Sequence, residues 1–228
     1  MEEFGQGIWI VDGPEVAVAG FPYATRMAIV RLANQDLFVW SPIALDASRR
    51  AAIDTLGRVA HIVAPNSLHH LFLAEWQRAY PEARFHAAPG LRRKRDDLTF
   101  DADLGDTPDP AWAGEVDQVA MRGNLITTEI IFFHRTSGTV LFTDLLQQIP
   151  GDWLSGWRRL VAKLDLMTGV EPAVPRKFRL AFTDRRAARA AIERILAWPA
   201  RKVLMAHGTP VEKDVPAFLR RAFDWLIR

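Results

Sequence analysis

Cysteine is absent from all 228 residues. That excludes a disulfide framework, a thiolate nucleophile and any zinc site built on sulfur, so a metal ion here must be held by nitrogen and oxygen. A surplus of charge is missing too. The 29 Lys and Arg stand against 27 Asp and Glu, a formal net charge of +2, which gives no general reason to expect nucleic acid as a partner. No stretch reaches the roughly 18 apolar residues that a membrane-crossing helix needs. The opening residues Met1-Glu2-Glu3-Phe4-Gly5 are acidic and lack the apolar core of a leader. The expectation is a cytoplasmic protein without a membrane partner. There is no Gly-x-Ser-x-Gly elbow for a serine hydrolase and no Gly-x-x-x-x-Gly-Lys loop to cradle a nucleotide phosphate. Internal repeats and low-complexity tracts are also lacking.

What is present is apolar content, 49% of the chain, enough for one full core and a single domain over residues 1–228. Ile8 to Val11 and Val16 to Ala19 read as strands separated by the turn chemistry of Asp12-Gly13-Pro14. Met27 to Leu32 and Leu37 to Trp40 read as a hairpin with a four-residue loop, Ala33 to Asp36. Asp46 caps a helix that starts at Ala47 and is stopped by Gly57. A strand over Val59 to Val63, a helix from Leu68 to Ala79 and a strand over Ala83 to His86 follow.

Between Pro89 and Gly114 the pattern dissolves, and Arg92-Arg93-Lys94-Arg95 beside Asp96-Asp97 reads as a solvated, self-compensating surface. Strands return at Gln118 to Met121, Glu129 to Phe133 and Thr139 to Phe142. The stretch Trp153 to Leu166 carries apolar residues at 153, 154, 157, 160, 161 and 164, the spacing of a helix with one buried face. A helix capped by Asp184, a strand from Lys202 and a last helix over Asp214 to Ile227 complete the chain. Two sheets with helices on their outer faces satisfy this order, an α/β (α+β) class.

Polar chemistry gathers where strands end, the places at which a rigid sheet hands over to exposed loop groups. Pro65-Asn66-Ser67-Leu68-His69-His70 follows one strand, Asp144 closes another and His207-Gly208 a third. His69, His70, Asp144 and His207 are the metal-ligand types of that set. His69 and His70 are sequential, so both can meet one ion only from irregular backbone. His134 ends an apolar strand and is placed near the same edge as Asp144, either orienting it or touching a ligand; the alternative is a histidine that fixes the hairpin. Asn66 either bonds to local backbone or faces the cavity. His61 and His86, flanked by aliphatic or small residues, read as structural.

These residues carry a resemblance. Arg26-Met27, Val39-Trp40-Ser41-Pro42, Ala64-Pro65-Asn66 with His69-His70-Leu71-Phe72, Pro89-Gly90-Leu91, Glu129 with Phe132-Phe133-His134-Arg135, Thr143-Asp144-Leu145 and Ala206-His207-Gly208 resemble the metallo-β-lactamase superfamily. Within it they are similar to an uncharacterised bacterial and plant family. The resemblance implies a four-layer αββα sandwich. It also implies a reduced metal motif. With the last histidine of His-x-His-x-Asp-His laid on His70, Pro65 and Ser67 replace the first two histidines, His69 replaces the aspartate, and Asn124 stands for the next histidine.

What the resemblance leaves is one site of His69, His70, Asp144 and His207 for one divalent ion: zinc first, with iron and manganese as alternatives. Asp144, His134 and Asn66 would act in catalysis, Asp144 by ligating the ion or orienting water and the other two by donating to an oxyanion. The expected function is metal-dependent hydrolysis of a small-molecule ester, amide or phosphate. A binding protein of the same fold without its metal centre is the competing reading, and self-association through the eight Trp a third.

Overall fold

Alternate residues of the central strands face two different cores, and that alternation builds the layers. The computed structural model describes residues 1–228. One sheet has the order β1 (Glu2–Gly5), β2 (Ile8–Val18), β3 (Phe21–Arg31), β4 (Asp36–Trp40), β5 (Arg58–Ala64), β6 (Arg84–Ala87), β7 (Ala102–Asp103). The other contains β8 (Val116–Met121), β9 (Glu129–His134), β10 (Thr139–Gln147) and β11 (Lys202–His207), in the order β11-β10-β9-β8. Ala28 and Val30 of β3 point between the sheets, where they meet Ile130 and Phe132 of β9. Their neighbours Met27 and Ile29 face outward on one side, and Ile131 and Phe133 on the other.

Helices close both outer faces. On the first sheet lie α1 (Ala47–Asp54), α2 (Leu73–Ala79) and α3 (Leu91–Lys94), through Ile53, Leu73, Trp76 and Leu91. α4 (Gly156–Leu164) packs on a small separate cluster of Ile149, Leu154 and Met167. The second sheet is covered by α5 (Arg176–Ala181), α6 (Arg185–Leu196), α7 (Val215–Ala222) and α8 (Asp224–Ile227), through Phe178, Ile192, Phe218 and Leu226. This is the four-layer αββα sandwich.

Where expectation and structure part, a local cause is visible. β2 runs through Asp12-Gly13-Pro14 as one strand, because a bulge between Gly13 and Val16 leaves the proline, which has no N–H, outside the regular ladder. α2 begins at Leu73 and not at Leu68, because the side-chain oxygen of Asn66 accepts the N–H groups of Leu68 and His69 at 2.8 and 3.1 Å and holds a turn there. The last helix is divided at Phe223. The largest departure is α4. Its apolar stripe, expected to be buried, faces outward; Ala162 is the buried residue, and at 3.6 residues per turn it lies across the helix from Trp157, Leu160 and Leu164.

Phe132 is fully buried and meets Phe38 of the facing sheet edge-on, with ring centroids 5.4 Å apart. Phe132→Ala should therefore destabilise the fold by roughly 3–5 kcal/mol, read as a shift of the urea midpoint; an unshifted midpoint would contradict the packing described.

Candidate metal centre

Strand pairing brings the site together. β10 and β11 run parallel with Phe142 opposite Met205, so Asp144 and His207 emerge at one edge of the second sheet. In the first sheet β4 and β5 are parallel with Trp40 opposite Val63, so Ser41 and the Pro65–His70 loop emerge together. The Ile130 N–H donates to the Pro65 carbonyl at 2.7 Å and ties the two sheets at this edge.

Three side chains converge. His69 Nε2 lies 3.2 Å from His207 Nε2 and 3.3 Å from Asp144 Oδ2, and His207 Nε2 lies 3.6 Å from Asp144 Oδ1. Each is braced from behind. His207 Nδ1 donates to the Ala24 carbonyl at 2.6 Å, which fixes its proton on that nitrogen and leaves Nε2 as a bare lone pair. His69 Nδ1 is 2.8 Å from Ser41 Oγ, a hydroxyl able to donate or accept. Asp144 accepts from Asn66 Nδ2 at 2.7 Å and from Gln147 Nε2 at 3.0 Å. Behind it the buried Glu129 accepts the N–H groups of Thr143, Asp144 and Leu145 at 2.7, 2.8 and 3.0 Å.

The electrostatics keep these groups ready for a cation. Burial pushes the His207 imidazole down to about 4 against the pull of Asp144, so it is neutral at ordinary pH. Burial opposes ionisation of Asp144, but the adjacent His69 and His207 and the Asn66 amide hold its carboxyl well below the usual range. Burial and the charge of Asp144 push Glu129 up. An ion bound at 2.0–2.1 Å in tetrahedral geometry separates its ligand atoms by about 3.3 Å. The observed separations of 3.2, 3.3 and 3.6 Å match that spacing, so the donor set fits one zinc-type ion.

The other expected site residues lie elsewhere or do something else. His70 lines the cavity but stands outside the donor cluster, because consecutive side chains diverge and Arg95 Nη1 holds it, donating to the His70 carbonyl at 2.8 Å. His134 is at the wrong end of the sheet. β9 and β10 are antiparallel with His134 opposite Thr139, five residues and roughly 16 Å along the strand from Asp144. Its Nδ1 pairs with Ser137 Oγ at 2.8 Å inside the hairpin. Asn66 is fully buried, and its amide is committed to Thr143 and Asp144 at 2.8 and 2.7 Å, so it braces the site and is not free to meet an oxyanion. Asn124 donates to the Phe178 carbonyl and accepts from the Ile126 N–H, both at 2.9 Å, as a turn residue.

Ser41, Gln147, Ala24 and Glu129 went unassigned in the sequence reading. Ser41 carried a usable signal, a lone polar residue at the end of an apolar strand, and so did Glu129 at the head of another. Gln147 gave none, since the strand around it looked finished at Asp144. The donors open on a cavity of about 430 Å³ walled by Val16, Tyr23, Leu68, Phe72 and Phe178, with Lys94 and Lys177 on its lining.

A family model described as a domain of unknown function, DUF4336, matches residues 6–155. No curated protein matches the chain by sequence. Among solved structures, a metallo-β-lactamase from Pontibacter korlensis is 12% identical, with 98% of this chain and 96% of that one covered and a TM-score of 0.63. The FIM-1 metallo-β-lactamase from Pseudomonas aeruginosa, in its mono-zinc form, is 14% identical, with 100% and 96% covered and a TM-score of 0.63. A metallo-β-lactamase from Erythrobacter litoralis is 14% identical, with 99% and 94% covered and a TM-score of 0.65. At these identities the likeness carries the fold.

Two predictions follow from the geometry. Ser41 holds a positive φ of 54°, so Ser41→Gly should be more stable than Ser41→Ala by about 1 kcal/mol, while both lose zinc affinity by about 10–100-fold. Thermal melts and chelator competition read the two effects separately, and undiminished affinity would remove Ser41 from the site. The second concerns acid. Burial lowers the imidazole of His134 to about 4, below its unfolded value of about 6.5, so between those pH values the unfolded chain binds the extra proton. His134 should account for a loss of about 3 kcal/mol as pH drops through that window, beside the losses from the other buried histidines, and His134→Gln should remove that share in urea titrations at several pH values.

Proposed function

The chain belongs to the DUF4336 family and carries the metallo-β-lactamase fold, and from that premise we propose that it is a metal-dependent hydrolase holding one divalent ion through His69, Asp144 and His207. The observation that carries this reading is the convergence of a bare imidazole nitrogen, a second imidazole and an ionised carboxylate within 3.2–3.6 Å of one another. Zinc is the first candidate, with iron and manganese as alternatives; the mono-zinc form of a fold neighbour is a precedent for a single ion.

When bound, the ion supplies Lewis acidity, polarising an ester, amide or phosphate oxygen and acidifying a water. The chain's own residues do the rest. Asn66 and Gln147 fix the carboxylate of Asp144 in one orientation, and Glu129 fixes the backbone that carries it. The apolar walls receive the body of a small-molecule substrate and exclude bulk water. Lys94 and Lys177 lie on the same lining, Lys94 donating to the Ser67 carbonyl at 2.9 Å and Lys177 paired with Asp165 at 3.4 Å.

One observation favours the competing reading of a binding protein without a metal. The His69 Nε2–H can donate to the bare His207 Nε2 at 3.2 Å, so the cluster satisfies itself when empty. Elemental analysis of protein purified without a polyhistidine tag separates the two. Near-stoichiometric metal is expected, with Asp144→Asn lowering both metal content and hydrolysis of nitrophenyl esters or phosphates. Absence of metal after supplementation would favour the binding protein.

A further inference from the structure

The outward stripe of α4 is an apolar feature that the fold leaves unused. Trp157 is 60% exposed, Leu160 59%, Val161 42% and Leu164 54%, and Trp153 just before the helix is 41% exposed. A surface helix normally turns such a stripe to the core, and contiguous exposed apolar surface marks a place of contact. Arg158 and Lys163 flank the stripe and Arg159 lies behind it on the helix, all exposed and none paired with a carboxylate. Of the acids at the helix ends, Asp165 is taken by Lys177 at 3.4 Å.

We infer that α4 is an interfacial helix that seats the protein on an anionic lipid surface, with Trp157, Leu160 and Leu164 in the headgroup layer and the flanking Arg158 and Lys163 against the lipid phosphates. Aromatic and leucine residues on one face with unpaired cations beside them are the features of a helix that lies in a membrane interface. No helix of the chain is long and apolar enough to cross a membrane, so the contact is with the surface. The charge pattern argues against a second copy as the occupant. A two-fold contact would set these cations against their own counterparts. Nine residues also make a helix only about 14 Å long, short for the roughly 800 Å² per partner of a stable dimer.

The position of the helix links this face to the cavity. Arg158 Nε donates to the Gly20 carbonyl at 2.9 Å, and Trp157 meets Phe21 edge-on with centroids 5.7 Å apart, so α4 is fastened to the turn between β2 and β3. Val16, Val18 and Tyr23 of that hairpin line the candidate site. Docking through α4 thus brings the apolar mouth of the cavity to the lipid interface, whether or not the site is hydrolytic.

Flotation with vesicles of phosphatidylcholine, alone or mixed with phosphatidylglycerol, tests this on the intact chain. Binding to the mixed vesicles is expected, and at least about tenfold weaker binding to phosphatidylcholine alone. Trp157→Ala should weaken binding about tenfold or more, and Lys163→Glu should weaken it about fivefold or more. Lys163 is exposed and makes no side-chain contact with a carboxylate, so Lys163→Glu should leave the thermal midpoint in place; if Trp157→Ala, which also loses its contact with Phe21, shifts it, Leu164→Ser and Lys163→Glu carry the test. Failure to bind the mixed vesicles, or equal binding to both kinds, would overturn the inference. So would a dimer in light scattering that Trp157→Ala returns to monomer, since a second copy would then be the occupant.

Discussion

A buried carboxylate holds the end of β10 in place, and the candidate site depends on it. The β9–β10 pairing runs through Thr139, Val140 and Leu141; beyond it the side chain of Glu129 takes the N–H groups of Thr143, Asp144 and Leu145 in turn. Three donors on one desolvated carboxylate replace the ladder bonds that this stretch lacks. They also fix the direction in which Asp144 leaves the strand. The cost of such an arrangement is electrostatic, since burial and the nearby charge of Asp144 both favour a proton on Glu129. Asn66 eases that crowding: its amide donates to Asp144 and approaches Glu129 Oε2 at 3.4 Å.

The positions at which the family motif departs from the superfamily pattern have structural employment. Pro65 gives its carbonyl to Ile130, joining the sheets, and Ser67 pairs with Thr127 Oγ1 at 3.0 Å. Asn124 closes a turn against Phe178. Pro65, Ser67 and Asn124 thus knit the loop to its surroundings, and one donor cluster of His69, Asp144 and His207 stands at this edge.

Much of this could be read from sequence because burial and strand period are local properties. The order of strands and helices implies two sheets with covered outer faces, and the polar residues at strand ends point to His69, Asp144 and His207, which the fold brings together. Non-local geometry was harder. His134 was misplaced because the hairpin reverses direction, so the end of β9 lies beside the start of β10 and not its end. His70 was misassigned because a motif laid on an irregular loop does not say which of two neighbours turns inward. Gln147 and Ala24 act through contacts across the chain that no spacing encodes. The spacing of α4 implies a buried apolar stripe, whereas the stripe faces outward, because period alone cannot say which side of a helix the protein occupies.

The two imidazoles 3.2 Å apart have a consequence for which ring nitrogen carries the proton. Two bare nitrogens at that distance repel, so the empty cluster places the His69 proton on Nε2, and the Ser41 hydroxyl then donates to Nδ1. With a cation in the cluster the proton belongs on Nδ1, where the same hydroxyl accepts it. One serine thus serves both tautomers. The hydroxyl therefore keeps a partner on His69 whichever ring nitrogen carries the proton.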